Sequence, residues 1–192
     1  MHPTLQGMLA HAPVLTDGAW GTQLQLLGLT TGTCPDAWSL EQPELVEQVA
    51  RAYVDAGSRI VLTNTFGANR FTLARYGLSE KVAAINRAGV EISRRAADGR
   101  ALVFASIGPS GKMLMMGDVS ENDLHAAFAE QARALADAGA DGIVVETMSD
   151  ATEAKLAVAA AKETGLPVVG CMVFDSGPAK DRTMMGTTVE QA

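Results

Sequence analysis

Cysteine is nearly missing from this chain: Cys34 and Cys171 are the only two among 192 residues, far apart and without CxxC or CxxH spacing. That spacing offers neither a disulfide framework nor a self-contained zinc motif, and it fits a reducing cytoplasm. Histidine is also scarce. His2, His11 and His125 are scattered, and no catalytic dyad is evident. Lys and Arg never form a run longer than Arg94-Arg95 and the net charge is -7, which argues against binding to the phosphate backbone of nucleic acid. No stretch approaches the roughly 18 uninterrupted apolar residues of a membrane span. The first thirteen residues lack a cationic region followed by an apolar one, so they do not read as a signal peptide. Nor is there a G-x-G-x-x-G fingerprint; the glycine cluster at residues 17–22 reads DGAWGT.

What is present is hydrophobic content of 47% against 19% charged, enough for a sizeable core in one domain covering residues 1–192. Short apolar runs alternate with longer amphipathic ones, the order of parallel strands joined by crossover helices. Strands are expected at 13–16, 59–63, 101–106, 142–146 and 167–174. The last four are almost wholly apolar, as strands covered on both faces are. Helices are expected at 42–56, 78–97, 121–138 and 151–164, with a further helical stretch from Thr22 to Leu27. Pro43 suits a first turn, Ser120 and Asp150 suit caps, and Gly165 a stop. Two helices run into the next strand through nearly one phrase, DAGSRIV at 55–61 and DAGADGIV at 137–144.

The preferred architecture is an α/β fold of the TIM-type (β/α)8 barrel, of which only about the first five β/α units are here. A doubly wound sheet is the competitor, weakened by the missing fingerprint. Thr187 and Glu190 have the form of a capping box that should open a helix at Thr188. Since five strands do not close an eight-stranded barrel, the expectation is that the polypeptide continues or that another chain supplies the missing half.

In a parallel barrel, reactive groups gather at the carboxyl ends of strands. Asp17 and Glu146 each follow an apolar run and would make an electronegative pocket for an ammonium group or a metal. The plainer alternative makes Asp17 a turn residue and Glu146 a helix cap. Backbone N–H groups of Gly18, Ala19 and Trp20 can approach a carboxylate closely, or simply form a turn. Together these features suggest an amino acid ligand. Asn64 and Thr65 either hydrogen-bond a ligand or tie their loop to its neighbours. The methionines at 113, 115, 116, 184 and 185 read first as gap fillers and second as an adaptable apolar surface. Cys171 reads as a buried small hydrophobe and Cys34 as incidental.

The stretches TDGAWGTQL (16–24), QPELV (42–46), AGSRIVLTNTFGAN (56–69), Ile85-Asn86, Gly108-Pro109 and GIVVETMSDATEA (142–154) keep one order and spacing. In that register the chain, from about Val14 to Glu190, resembles the homocysteine S-methyltransferase family, which includes betaine-homocysteine methyltransferase and the homocysteine domain of cobalamin-dependent methionine synthase. The resemblance implies a zinc-dependent methyl transfer to the thiol of homocysteine, giving methionine. It implies that Asp17 and Glu146 hold the substrate ammonium, that N–H groups of Gly18, Ala19 and Trp20 receive its carboxylate, and that Thr63, Asn64 and Thr65 shape the pocket. The methyl donor stays open among betaine, S-methylmethionine, S-adenosylmethionine and methylcobalamin. The family's zinc cysteines lie in G-x-N-C and G-G-C-C motifs, and neither occurs here. The expectation is therefore that this chain alone binds zinc weakly and is inactive. Two alternatives stand beside it: a corrinoid-linked methyltransferase with another substrate, and a non-catalytic, amino-acid-binding or partner-dependent half barrel.

Overall fold

A computed structural model describes residues 2–10 and 12–192; His11 lies outside them. The chain forms α1 (Pro3–Leu9), α2 (Trp20–Leu26), α3 (Trp38–Glu41), α4 (Pro43–Asp55), β1 (Ile60–Val61), α5 (Arg70–Ala74), α6 (Val82–Ala97), β2 (Leu102–Ile107), α7 (Glu121–Asp137), β3 (Gly142–Met148), α8 (Ala151–Lys162) and β4 (Val168–Met172). The four strands pair in parallel in the order β1-β2-β3-β4. Each strand lies beside the next in sequence, without the reversal that a doubly wound sheet requires.

Local chemistry explains where the helices begin and end. Pro43 opens α4, where its missing N–H costs nothing. Asn69 caps α5 by accepting from the N–H groups of Phe71 and Thr72. Ser120 caps α7 through the N–H of Asp123, and Asp150 caps α8 through those of Thr152 and Glu153. After α4 and α7 the shared Asp-Ala-Gly phrase puts Gly57 at φ 103° and Gly139 at φ 89°, a left-handed turn that glycine adopts without strain.

The main core lies between the β2–β3 face and the helices α6, α7 and α8. Leu124, Phe128 and Leu135 of α7 meet Ala105, Ile107, Ile143 and Val145 of the sheet. Each such large side chain contributes about 1.5–3 kcal/mol by leaving water. A second layer of order is polar. Gln131 of α7 donates to the Thr65 carbonyl at 2.8 Å, and Asn86 of α6 donates to those of Ala68 and Val82, so two buried amides pin the loop that follows β1.

Five expectations are corrected. The segment at 13–16 is no full strand; it meets β1 through a single bridge, Thr16 to Ile60, and Leu15 stands exposed rather than packed against the sheet. β4 is not covered on both faces: it pairs only with β3, and Gly170 and Cys171 are exposed. Cys171 is thus no buried hydrophobe. Cys34 is the buried one, packed with Ala37, Ala68, Leu73, Val82 and Ile85. No helix opens on the Thr187–Glu190 pair. The single turn there caps one residue later, with Gln191 Oε1 accepting from the Thr188 N–H at 3.0 Å. Met115, Met116 and Met184 do not fill gaps, since they stand largely in solvent.

Gly89 shows how tightly α6 approaches the sheet end. A Cβ there would lie 2.5 Å from Thr65 Cγ2, and Thr65 is fully buried. Exchanging helical glycine for alanine ordinarily gains up to about 1 kcal/mol, whereas overpacking a filled site costs about 1–3 kcal/mol. The steric cost wins. Gly89→Ala is expected to lower stability in urea titrations by about 1–2 kcal/mol; an unchanged or raised midpoint would refute this packing.

Candidate functional site

The carboxyl ends of the strands open into a cavity of about 510 Å³ whose wall includes Gly18, Ala19, Trp20, Asp36, Leu62, Thr63, Asn64, Phe66, Arg75, Tyr76, Ser106 and Glu146. Asp17 is not part of that wall; it directly precedes Gly18, which is, and is placed by the bridge at Thr16 and by its own N–H donating to the Ile60 carbonyl. One carboxylate oxygen, Oδ2, accepts from Trp20 Nε1 and from the Leu62 N–H, both at 2.8 Å. Burial raises the Asp17 pKa, the two hydrogen bonds oppose that rise, and the negative charge of Glu146 adds to it. The two acids therefore share one electrostatic environment. Tyr53 closes the side of this corner, its hydroxyl donating to the Ala19 carbonyl at 2.8 Å.

Glu146 extends from β3. Its Oε1 accepts from Ser106 Oγ at 2.6 Å. It does not act as a cap, since α8 is capped by Asp150. The neighbouring strand end supplies Thr63, Asn64 and Thr65, all buried. Thr63 and Asn64 reach the cavity wall, while Thr65 does not; its hydroxyl donates to the Ser106 carbonyl at 2.8 Å. The Asn64 amide donates to the Pro35 carbonyl at 2.7 Å and to Ser39, tying β1's loop to the loop before α3.

Asp36 was not singled out by sequence, where it reads as part of a turn after Pro35. It is 5% exposed and lines the cavity. Its Oδ1 accepts from the Gly67 N–H at 2.9 Å and Oδ2 from the Cys34 thiol at 3.8 Å. With no cation to balance its burial, its pKa is raised from 3.8 to about 6. Burial, joined by the Asp36 charge, pushes the Cys34 thiol up to about 11. The Pro-Asp pair beside an otherwise apolar cluster was the only signal available.

The model of the homocysteine S-methyltransferase family matches residues 14–192. The chain belongs to this family. It is 34% identical over 162 residues to a methionine synthase of Mycobacterium leprae (strain TN) and 33% identical over 166 residues to one of Mycobacterium tuberculosis (strain ATCC 25618 / H37Rv). These matches take in 78% and 80% of the chain but span only 13% and 14% of those relatives. Among solved family structures, the oxidized form of the homocysteine methyltransferase MmuM from Escherichia coli superposes with a TM-score of 0.80 at 26% identity, covering 98% of this chain and 70% of that one. The metallated form of MmuM shares the fold, with a TM-score of 0.78 at 24% identity over 96% of this chain and 70% of that one.

The zinc that membership of the family brings to mind finds no ligand set among the described residues, where no three His, Cys, Asp or Glu side chains converge. Cys34 is buried against Asp36, which disfavours its thiolate, and Cys171 is exposed on β4. Among the described residues, these side chains do not form a three-ligand metal site. Among the described residues, no helix is long and apolar enough to cross a membrane.

Asp36 yields a pH prediction with a definite sign. Its folded pKa of about 6 exceeds the unfolded 3.8, so its contribution to stability is fully present below pH 3.8 and is lost as pH rises through about 6. Asp36→Asn keeps an acceptor for Gly67 but cannot ionise. The stability of this variant relative to the original chain is expected to improve between pH 4 and pH 7.5 by on the order of 3 kcal/mol, read by denaturation at each pH. A difference that stays constant with pH would contradict the burial argument.

Proposed function

We propose that this chain forms the homocysteine-binding part of an enzyme that transfers a methyl group to the homocysteine thiol, giving methionine. The observation that carries the reading is that Glu146 lines the same cavity as Gly18, Ala19 and Trp20, while Asp17, which directly precedes Gly18, feels the Glu146 charge. Two half-buried carboxylates without a basic partner favour a cation between them, because each is then relieved of repulsion by the other. The α-ammonium of an amino acid supplies that cation together with three N–H donors.

In this reading the ammonium lies between Asp17 Oδ1 and Glu146, since Trp20 and Leu62 already occupy Asp17 Oδ2. The carboxylate of the ligand turns to the backbone N–H groups of Gly18, Ala19 and Trp20, where Trp20 begins α2. Thr63 and Asn64 bound the pocket from the neighbouring strand end, with Thr65 holding that end from beneath. The thiol then points toward the wide part of the cavity, where a methyl donor has room to approach. A cavity of about 510 Å³ is several times what homocysteine fills.

We also read the sheet as the first five units of a (β/α)8 barrel. Its reversal-free strand order and its superposition on 70% of MmuM support this. Two free cysteines are in keeping with a cytoplasmic setting. A methyl donor, and the rest of the barrel or another chain, are the partners this reading calls for.

Glu146→Gln keeps the shape of the side chain and removes its charge. By calorimetry, L-homocysteine should bind this variant more weakly by about 1.5–3 kcal/mol, the worth of a charge-assisted hydrogen bond. Equal affinity would remove Glu146 from the proposed site.

A further inference from the structure

The wall beside Glu146 is built so that it can accept hydrogen bonds but not donate them. Thr65 sends its single hydroxyl proton to the Ser106 carbonyl at 2.8 Å. Thr65 Oγ1 also lies 2.6 Å from Thr63 Oγ1, so Thr63 must be the donor in that pair. Thr63 Oγ1 in turn accepts the Ser106 N–H at 3.1 Å. The result is a closed, directed ring, running from Ser106 N–H to Thr63, to Thr65 and back to the Ser106 carbonyl. It leaves neither threonine a proton for the cavity. The one remaining donor, Ser106 Oγ, sends its proton to Glu146 Oε1 at 2.6 Å.

Three consequences follow from this arrangement. Glu146 lines the cavity with one oxygen fixed, and the other accepts no hydrogen bond from the described residues. The oxygens of Ser106 and Thr63 retain only lone pairs there. Ser106 is 2% exposed and Thr63 likewise, so water does not readily replace these contacts. A carboxylate or carbonyl arriving at this wall would meet only acceptors, whereas an ammonium would meet several.

We propose that Ser106 is a positioning residue that orients Glu146 and, with the threonine ring, restricts this end of the cavity to a protonated primary amine. The inference rests on the amino acid reading above and deepens it, since it states which end of the ligand faces β3. Ser106 acts through Glu146 and through the polarity of the wall. Its hydroxyl takes no part in the ring, which uses only its backbone N–H and carbonyl, so removing the hydroxyl leaves the ring intact.

That separation makes the test specific. Binding of L-homocysteine and of 4-mercaptobutyrate, the same molecule without its amino group, is measured by calorimetry on the original chain, on Ser106→Ala and on Ser106→Thr. Ser106→Ala should lose about tenfold in affinity for L-homocysteine while its affinity for 4-mercaptobutyrate is unchanged. Ser106→Thr, which restores a hydroxyl, should recover most of the loss. General damage to the fold would weaken both ligands together and would overturn the proposal. So would a Ser106→Ala variant that binds L-homocysteine as well as the original chain does. If the original chain bound 4-mercaptobutyrate as tightly as L-homocysteine, or bound neither, the amino acid reading itself would fall, and this inference with it.

Discussion

Two carboxylates held at one half-buried rim repel each other, and what surrounds Asp17 and Glu146 answers to that repulsion. Their joint presence is affordable only because each is supplied with donors from the protein: Trp20 Nε1 and the Leu62 N–H for Asp17, Ser106 Oγ for Glu146. These three donors sit on three different elements or their connecting loops. The repulsion is therefore managed by the tertiary fold rather than by any local stretch, and whatever cation enters the cavity relieves what remains.

The parallel sheet is what makes such convergence possible. Every strand delivers its carboxyl end to the same side, so Thr63, Ser106 and Glu146 line one cavity, and Asp17 adjoins it through Gly18. Beneath them, the buried amides of Asn86 and Gln131 and the close approach of Gly89 leave the strand end little freedom. Precision at the rim is thus anchored by polar contacts a layer below. The Asp36 clamp on Gly67 does the same for the loop on the far wall, at the cost of a buried carboxylate without a cation.

Much of this was legible in the sequence, for identifiable reasons. The apolar runs of β2 and β3, the Ser120 and Asp150 caps and the repeated Asp-Ala-Gly phrase each state a local preference that the fold keeps. Asp17 and Glu146 were visible because each directly follows such a run. Elements whose form depends on distant partners were not visible. Four-residue α3 and five-residue α5 have too little periodicity to declare themselves, and the exposure of β4 reflects what lies over it rather than its composition. Ser106 is the last residue of the strand expected at 101–106, but its role needs the direction of each proton in a ring closed across strands. Asp36 looked like any turn residue until burial set it against an apolar cluster.

The central claim is that the carboxylate pair grips a zwitterion by its ammonium group. A crystal structure of the chain with bound L-homocysteine tests it most directly. The account predicts the amino nitrogen within about 3 Å of both Asp17 and Glu146, with the ligand carboxylate facing Gly18, Ala19 and Trp20. A ligand bound with its amino nitrogen away from both acids, or with its carboxylate against β3, would contradict it.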